Sequence, residues 1–203
     1  MARRPGLYRR PDHFTREAKL RGFPARSVVK LEEIDRRARL LRPGQRVLDL
    51  GAAPGSWSMY AASRVGERGR LLGVDLSPVA VVAPPQAIFM DCDVVTADLR
   101  DLALFAPYDV VLSDMAPKTT GTRAADQAQS FELFMRALDV ASRLLRPGGS
   151  FVGKIFMGPD FPMAKRATKA LFVTERAMRP AGTRESSYEI FLVGLGRRAA
   201  TPT

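Results

Sequence analysis

Seven short apolar runs alternate with segments of helical periodicity along most of this chain, and that alternation limits its fold more than any other feature. The runs cover residues 46–50, 70–74, 87–92, 108–113, 150–156, 172–178 and 190–195, each with the length and make-up of a buried strand. Between them lie apolar stripes at spacings of three and four. Val28, Leu31, Ile34, Ala38 and Leu41 form one, residues 57–65 a second, and Phe131, Phe134, Leu138, Ala141 and Leu145 a third. Such a pattern predicts an α/β fold: a doubly wound, mostly parallel seven-stranded sheet with helices on both faces. RPGQ at 42–45 and RPGGS at 146–150 place Pro and Gly between a helix and the next strand.

With 203 residues, 46% of them hydrophobic, the chain suits one globular domain with a single sizeable core. Its formal net charge is +11 and is unevenly spread. Residues 1–26 hold eight basic side chains against two acidic ones, leaving +6 of the excess at one end. Clustered Lys and Arg displace counterions from a phosphate backbone, so this end reads as an arm that grips nucleic acid. The expected organisation is a basic arm over 1–25, a globular domain over 26–198 and a loose tail over 199–203. Lys165, Arg166 and Lys169 lie on one helix face that could extend the arm's track.

Cys92 is the only cysteine and His13 the only histidine, which excludes an internal disulfide, the usual His/Cys metal clusters and a second-histidine triad. No metal is expected. His13 reads as a surface residue of the arm. No apolar run approaches bilayer length, so a cytoplasmic protein without a membrane partner is expected.

VLDLGAAPGSW at 47–57 joins the first strand to a helix, the place where doubly wound sheets bind ligands. Gly51 and Gly55 allow close backbone approach there. Ala53 stands where the dinucleotide fingerprint needs its second Gly, and no P-loop GKS or GKT is present. GVDL ends the second strand with Asp75, 24 residues beyond Gly51, where an acid can accept both hydroxyls of an adenosine ribose. FMDCD ends the third strand and offers Asp91 or Asp93 near the adenine position, with Asp93 preferred. Trp57 could line that pocket or pack in the core. YDVVLSDMAPKTTG ends the fourth strand with Asp114, a carboxylate that needs a cationic or hydroxyl partner. Lys154, interrupting the apolar strand SFVGKIFMG, is the candidate partner.

Taken in order, ARSVVKLEEID, DLGAAPGSW, SDMAPKTTG, RPGGSFVGKIF and ESSYEIFLVG resemble the FtsJ (RrmJ, RlmE) family of S-adenosylmethionine-dependent ribose 2'-O-methyltransferases. The resemblance spans residues 14–198 and implies a Rossmann-like class I methyltransferase fold. It also implies a catalytic tetrad of Lys30, Asp114, Lys154 and Glu189. Donor-binding positions fall on Gly55, Trp57, Asp75, Asp93 and Asp114, and the implied substrate is a uridine of 23S ribosomal RNA in the large ribosomal subunit. The chain departs from the family's pattern at Ser56, where a second Gly is usual, at Val28 and Val29 before the first lysine, and over residues 78–86.

Methyl transfer from a sulfonium is an in-line displacement, so a ribose hydroxyl must be held against the methyl carbon while it loses a proton. Lys154 is expected nearest that hydroxyl, as base or as the cation stabilising the developing alkoxide. Asp114 would orient Lys154, while Lys30 and Glu189 hold the ribose. A monomer is expected. Competing readings are methylation of transfer RNA or an mRNA cap, a nicotinamide-dependent oxidoreductase, and a non-catalytic RNA-binding ribosome-assembly factor.

Overall fold

The computed structural model describes residues 13–184 and 187–199; residues 1–12 of the basic arm and 200–203 of the tail lie outside the described residues. Seven strands form one sheet in the order β3-β2-β1-β4-β5-β7-β6. They are β1 (Arg46–Leu50), β2 (Arg70–Asp75), β3 (Ala87–Asp91), β4 (Tyr108–Ser113), β5 (Leu145–Phe156), β6 (Phe172–Met178) and β7 (Glu189–Arg197). Strands β1 to β5 pair in parallel, whereas β7 runs antiparallel to both β5 and β6. All seven expected strands are present, in a Rossmann-like fold.

Side chains alternate across each strand, and the alternation divides the core into two layers. Leu48 and Leu50 of β1, with Val111 of β4, face α4 (Arg123–Leu144) and α5 (Phe161–Leu171). Val47, Val110, Leu112, Val152, Phe191 and Val193 face α2 (Val28–Ala38) and α3 (Ser56–Val65). Helices therefore cover both faces. In α4 the buried positions Ser130, Phe134, Ala137, Leu138 and Ala141 keep the three-and-four spacing of an apolar stripe. The order of the sheet reverses between β1 and β4, which opens a crevice at their carboxyl ends.

Several features depart from the expected pattern. His13–Leu20 of the arm is a helix, α1, with Ala18 fully buried. Leu145, expected at the end of the third helical stripe, opens β5 instead. The RPGG segment bulges within that strand, between the pairs Tyr108↔Leu145 and Val110↔Ser150, and Gly148 adopts φ +79° to make the bend. The last strand also runs through Gly196 to Arg197, two residues past the expected run of 190–195. Between β2 and β3 residues 76–86 cross without a helix or strand, through bends at 76, 77 and 81 and a turn at 85–86.

Candidate active site

The tips of β1 and β4 meet where the sheet order reverses. The Asp114 N–H donates to the Leu50 carbonyl (3.2 Å), and Gly51 at φ +79° lies so close to Met115 that a Cβ there would stand 2.8 Å from the methionine Cγ. Only glycine permits that approach. Gly55, at φ +114°, caps α3, and a Cβ on it would stand 2.5 Å from Val81 of the connection.

Beside this junction is a cleft of about 120 Å³ lined by Gly51, Asp75, Asp93, Val94, Met115 and Leu133, among others. A second, larger hollow of about 690 Å³ shares Asp75, Leu76, Val95, Ala116 and Leu133 with it. Two carboxylates on otherwise apolar walls suit a nucleoside: the walls take a flat base, and the acids accept from its amine and sugar hydroxyls. Asp75 is held in place by the Ala53 N–H on one oxygen (2.9 Å) and the Ser77 N–H on the other (2.8 Å). Each oxygen keeps a lone pair for a ligand. Asp93 accepts from the Val95 N–H (2.9 Å) and faces the cleft. Asp91, paired with Asp75 in the β2–β3 register, is exposed and takes no part in its walls.

Trp57 is placed in the core. Its side chain is 2% exposed, its ring packs 5.7 Å from that of Phe191, and its indole N–H donates to the Ser27 carbonyl (2.9 Å). What it offers a ligand is its backbone N–H in the first turn of α3, where helical N–H groups lack intrahelical acceptors.

The four tetrad residues converge through strand register. Lys154 of β5 stands opposite Phe191 of β7, and Phe156 stands opposite Glu189. Alternation puts Lys154, Glu189 and Phe191 on the α2 side of the sheet. Asp114 follows directly on Ser113, which pairs with Gly153, so its side chain falls beside Lys154. Lys154 Nζ lies 3.0 Å from Asp114 Oδ1 and donates to the Asp114 backbone carbonyl (2.6 Å). Lys30 reaches down from α2 to the same patch: its Nζ lies 2.5 Å from Glu189 Oε1 and 5.8 Å from the centroid of the Phe191 ring. Lys30, Lys154 and Glu189 are each buried. The result is two lysine–carboxylate pairs flanking one phenylalanine. Asp114 Oδ1 and Glu189 Oε1 meet their lysines as close ion-pair contacts without the alignment of a hydrogen bond.

Beneath the junction lies Asp49, fully buried, whose Oδ2 accepts from Ser58 Oγ (2.6 Å) while Oδ1 has no hydrogen-bond partner. Burial pushes its carboxyl up to about 7, Ser58 works against this, and the charges of Asp114 and Asp75 add to it. Ser56 is buried as well; its Oγ accepts from the Ala25 N–H (2.8 Å) and donates to the Ala25 carbonyl (3.0 Å). Phe191, Asp49 and the bonding of Ser56 drew no notice in the sequence. The signal for Phe191 was its spacing of two from Glu189, which puts both on one side of a strand.

Lys165, Arg166 and Lys169 are exposed on α5, across the sheet from Lys30. Among the described residues no group of three or more His, Cys, Asp or Glu side chains is placed to hold a metal ion, and no helix is long and apolar enough to cross a membrane.

A cleft with two carboxylates at the sheet's turning point, one strand tip from a buried lysine that abuts a carboxylate, suits a methyltransferase of the Rossmann-like class. Residues 23–197 match the family described as FtsJ-like methyltransferase, and the chain belongs to that family. It is 64% identical over 196 residues to "Ribosomal RNA large subunit methyltransferase E" of Sorangium cellulosum, covering 97% of this chain and 92% of that protein. A protein of the same name from Bdellovibrio bacteriovorus is 50% identical over 195 residues, covering 94% and 99%. Among solved structures, a ribosomal RNA methyltransferase from Plasmodium falciparum superposes with a TM-score of 0.77 at 22% identity, over 88% of this chain and all of that one, a likeness of fold.

Proposed function

We propose that the protein transfers a methyl group from S-adenosylmethionine to a ribose 2'-hydroxyl of RNA, on a uridine of 23S ribosomal RNA in the large ribosomal subunit. One observation carries this reading: Lys154, held by Asp114, sits at the strand tips beside the nucleoside cleft, with the Lys30–Glu189 pair across Phe191. The relatives' shared name supports the choice of RNA at 50–64% identity.

S-adenosylmethionine, when bound, supplies a methyl group on a positively charged sulfur. Asp75 and Asp93 would hold its ribose and adenine, and the backbone of Gly51 to Trp57 would line the rest of the donor site. Asp114 contributes from the facing strand tip. Lys154 Nζ donates one N–H to the Asp114 carbonyl and lies beside its carboxylate as an ion pair. A further tetrahedral position is left for the ribose hydroxyl. There it receives the proton as a lone pair or steadies the developing alkoxide as an N–H, and either role comes from the same placement. Lys30, its charge balanced by Glu189, donates to the acceptor ribose, whose other oxygens can only accept.

The basic residues of the 1–25 arm, with Lys165, Arg166 and Lys169, follow the phosphates, and the protein acts as a monomer in the cytoplasm. The test offers labelled S-adenosylmethionine to naked ribosomal RNA, transfer RNA and undermethylated large subunits. Label at one ribosomal position that becomes resistant to alkaline cleavage is the expected result. Label only on transfer RNA, or none at all, overturns the proposal.

A further inference from the structure

Next to the tetrad lies a third cleft, of about 160 Å³, that no step above uses. It is lined by Thr119, Arg123, Gln127, Phe156 and Tyr188, together with Asp126 and Ser187. Arg123 opens α4 and lays its guanidinium 3.8 Å from the centroid of the Tyr188 ring. Tyr188 is still 43% exposed, so this stacked pair looks outward instead of filling a core. Its surroundings are fixed. The Met157 N–H donates to the Tyr188 carbonyl (2.8 Å), Gln127 donates to the Met157 carbonyl, and both the backbone and hydroxyl of Thr120 bond to Asp126 (2.7 and 2.8 Å).

Two planar groups that stack, a phenylalanine wall and a rim of hydroxyl, amide and carboxylate groups are what an unstacked nucleobase requires. The position selects which base. Tyr188 is covalently next to Glu189, and Phe156 is the register partner of Glu189 and two residues from Lys154. A base and the 2'-hydroxyl of its own nucleotide sit on adjacent ribose carbons. A ribose held by Lys30, Glu189 and Lys154 therefore carries its base within reach of this cleft.

We infer that the Arg123–Tyr188–Phe156 cleft receives the base of the nucleotide being methylated, drawn out of its stack, with Arg123 and Tyr188 as specificity-determining residues. This rests on the RNA methyltransferase reading and extends it to how the acceptor is held.

The experiment maps the acceptor position, then ligates two ribosomal RNAs for assembly into large subunits. One carries the normal nucleotide there; the other carries an abasic ribose that keeps its 2'-hydroxyl. Wild-type protein and the Tyr188→Ala and Arg123→Ala variants are compared on both, with circular dichroism and donor affinity confirming that the fold and donor cleft are intact. Removal of the base is expected to lower wild-type kcat/KM about 10- to 100-fold, the size of a lost stacking contact. Tyr188→Ala is expected to lower it similarly on normal RNA and to lose little more on abasic RNA. Two independent losses that multiply in the combination, or a Tyr188→Ala protein equal to wild type, overturn the inference while leaving the enzyme reading intact. Failure of the wild type to methylate the normal RNA overturns both.

Discussion

Ser56 grips the backbone of Ala25 from both sides, taking its N–H at 2.8 Å and giving a hydroxyl proton to its carbonyl at 3.0 Å. One helical turn of the donor loop is thereby tied to the segment that leads into α2, five residues ahead of Lys30. Trp57 repeats the tie through Ser27. Replacing Ser56 by Ala leaves two backbone groups in a part-buried place without these partners and should cost about 1–3 kcal/mol of stability, read as a shift in the urea midpoint.

Because Lys154 leans on the backbone carbonyl of Asp114 as well as its carboxylate, the two residues should not fail equally. Lys154→Ala is expected to lower the methyl-transfer rate about 100- to 10,000-fold in single-turnover assays. Asp114→Asn keeps the carbonyl contact and should lose less in rate. Equal losses would show that the carboxylate alone holds the lysine.

Lys30 and Glu189 touch each other, so their effects should be shared. In a double-mutant cycle on kcat/KM with Lys30→Met and Glu189→Gln, the coupling energy is expected to exceed about 1 kcal/mol. Strict additivity would show that the pair does not work as a unit.

Asp93 faces the donor cleft and Asp91 faces solvent. Calorimetry should find S-adenosylmethionine affinity lowered about tenfold or more by Asp93→Ala, the size of a hydrogen bond to a charged group, and unchanged by Asp91→Ala.

Asp49 makes stability depend on pH in a stated direction. Its folded value of about 7 lies above the ordinary 3.8, so between the two the folded chain holds a proton that the unfolded chain has released. Its contribution is full below 3.8 and is lost as pH rises through 7. At 1.36 kcal/mol per pKa unit, it is worth at most roughly 4 kcal/mol. Urea midpoints should fall between pH 5 and pH 8 in the wild type and fall less in Asp49→Asn, whose amide oxygen still accepts from Ser58.

The sheet was legible because its inner strands pack apolar residues on both sides, and such runs declare themselves locally. Helix α1 was not. Its one buried residue, Ala18, sits among arginines and lysine, so charge masked the packing. In RPGG a turn composition was read correctly as a bend, but the bend lies inside a strand, since only the neighbour β4 decides where pairing resumes. Lys154 and Asp114 stood out as charges at the ends or centres of apolar strands. Lys30 and Glu189 were reached only through resemblance: a lysine on a helix and a glutamate at a strand start look solvated until the sheet brings them to 2.5 Å. Trp57 shows the converse. A lone tryptophan after a glycine loop suggests a ligand wall, while its N–H and ring are both taken by the core.

Strand β7 enters the sheet between β5 and β6, although it follows both in the chain. Without it, Lys30 has no Glu189 to meet and Lys154 has no Phe191 beside it. Because β7 is the last strand along the chain, a chain stopped before residue 189 would carry Lys30, Asp114 and Lys154 but neither of the two side chains that close the cluster around them.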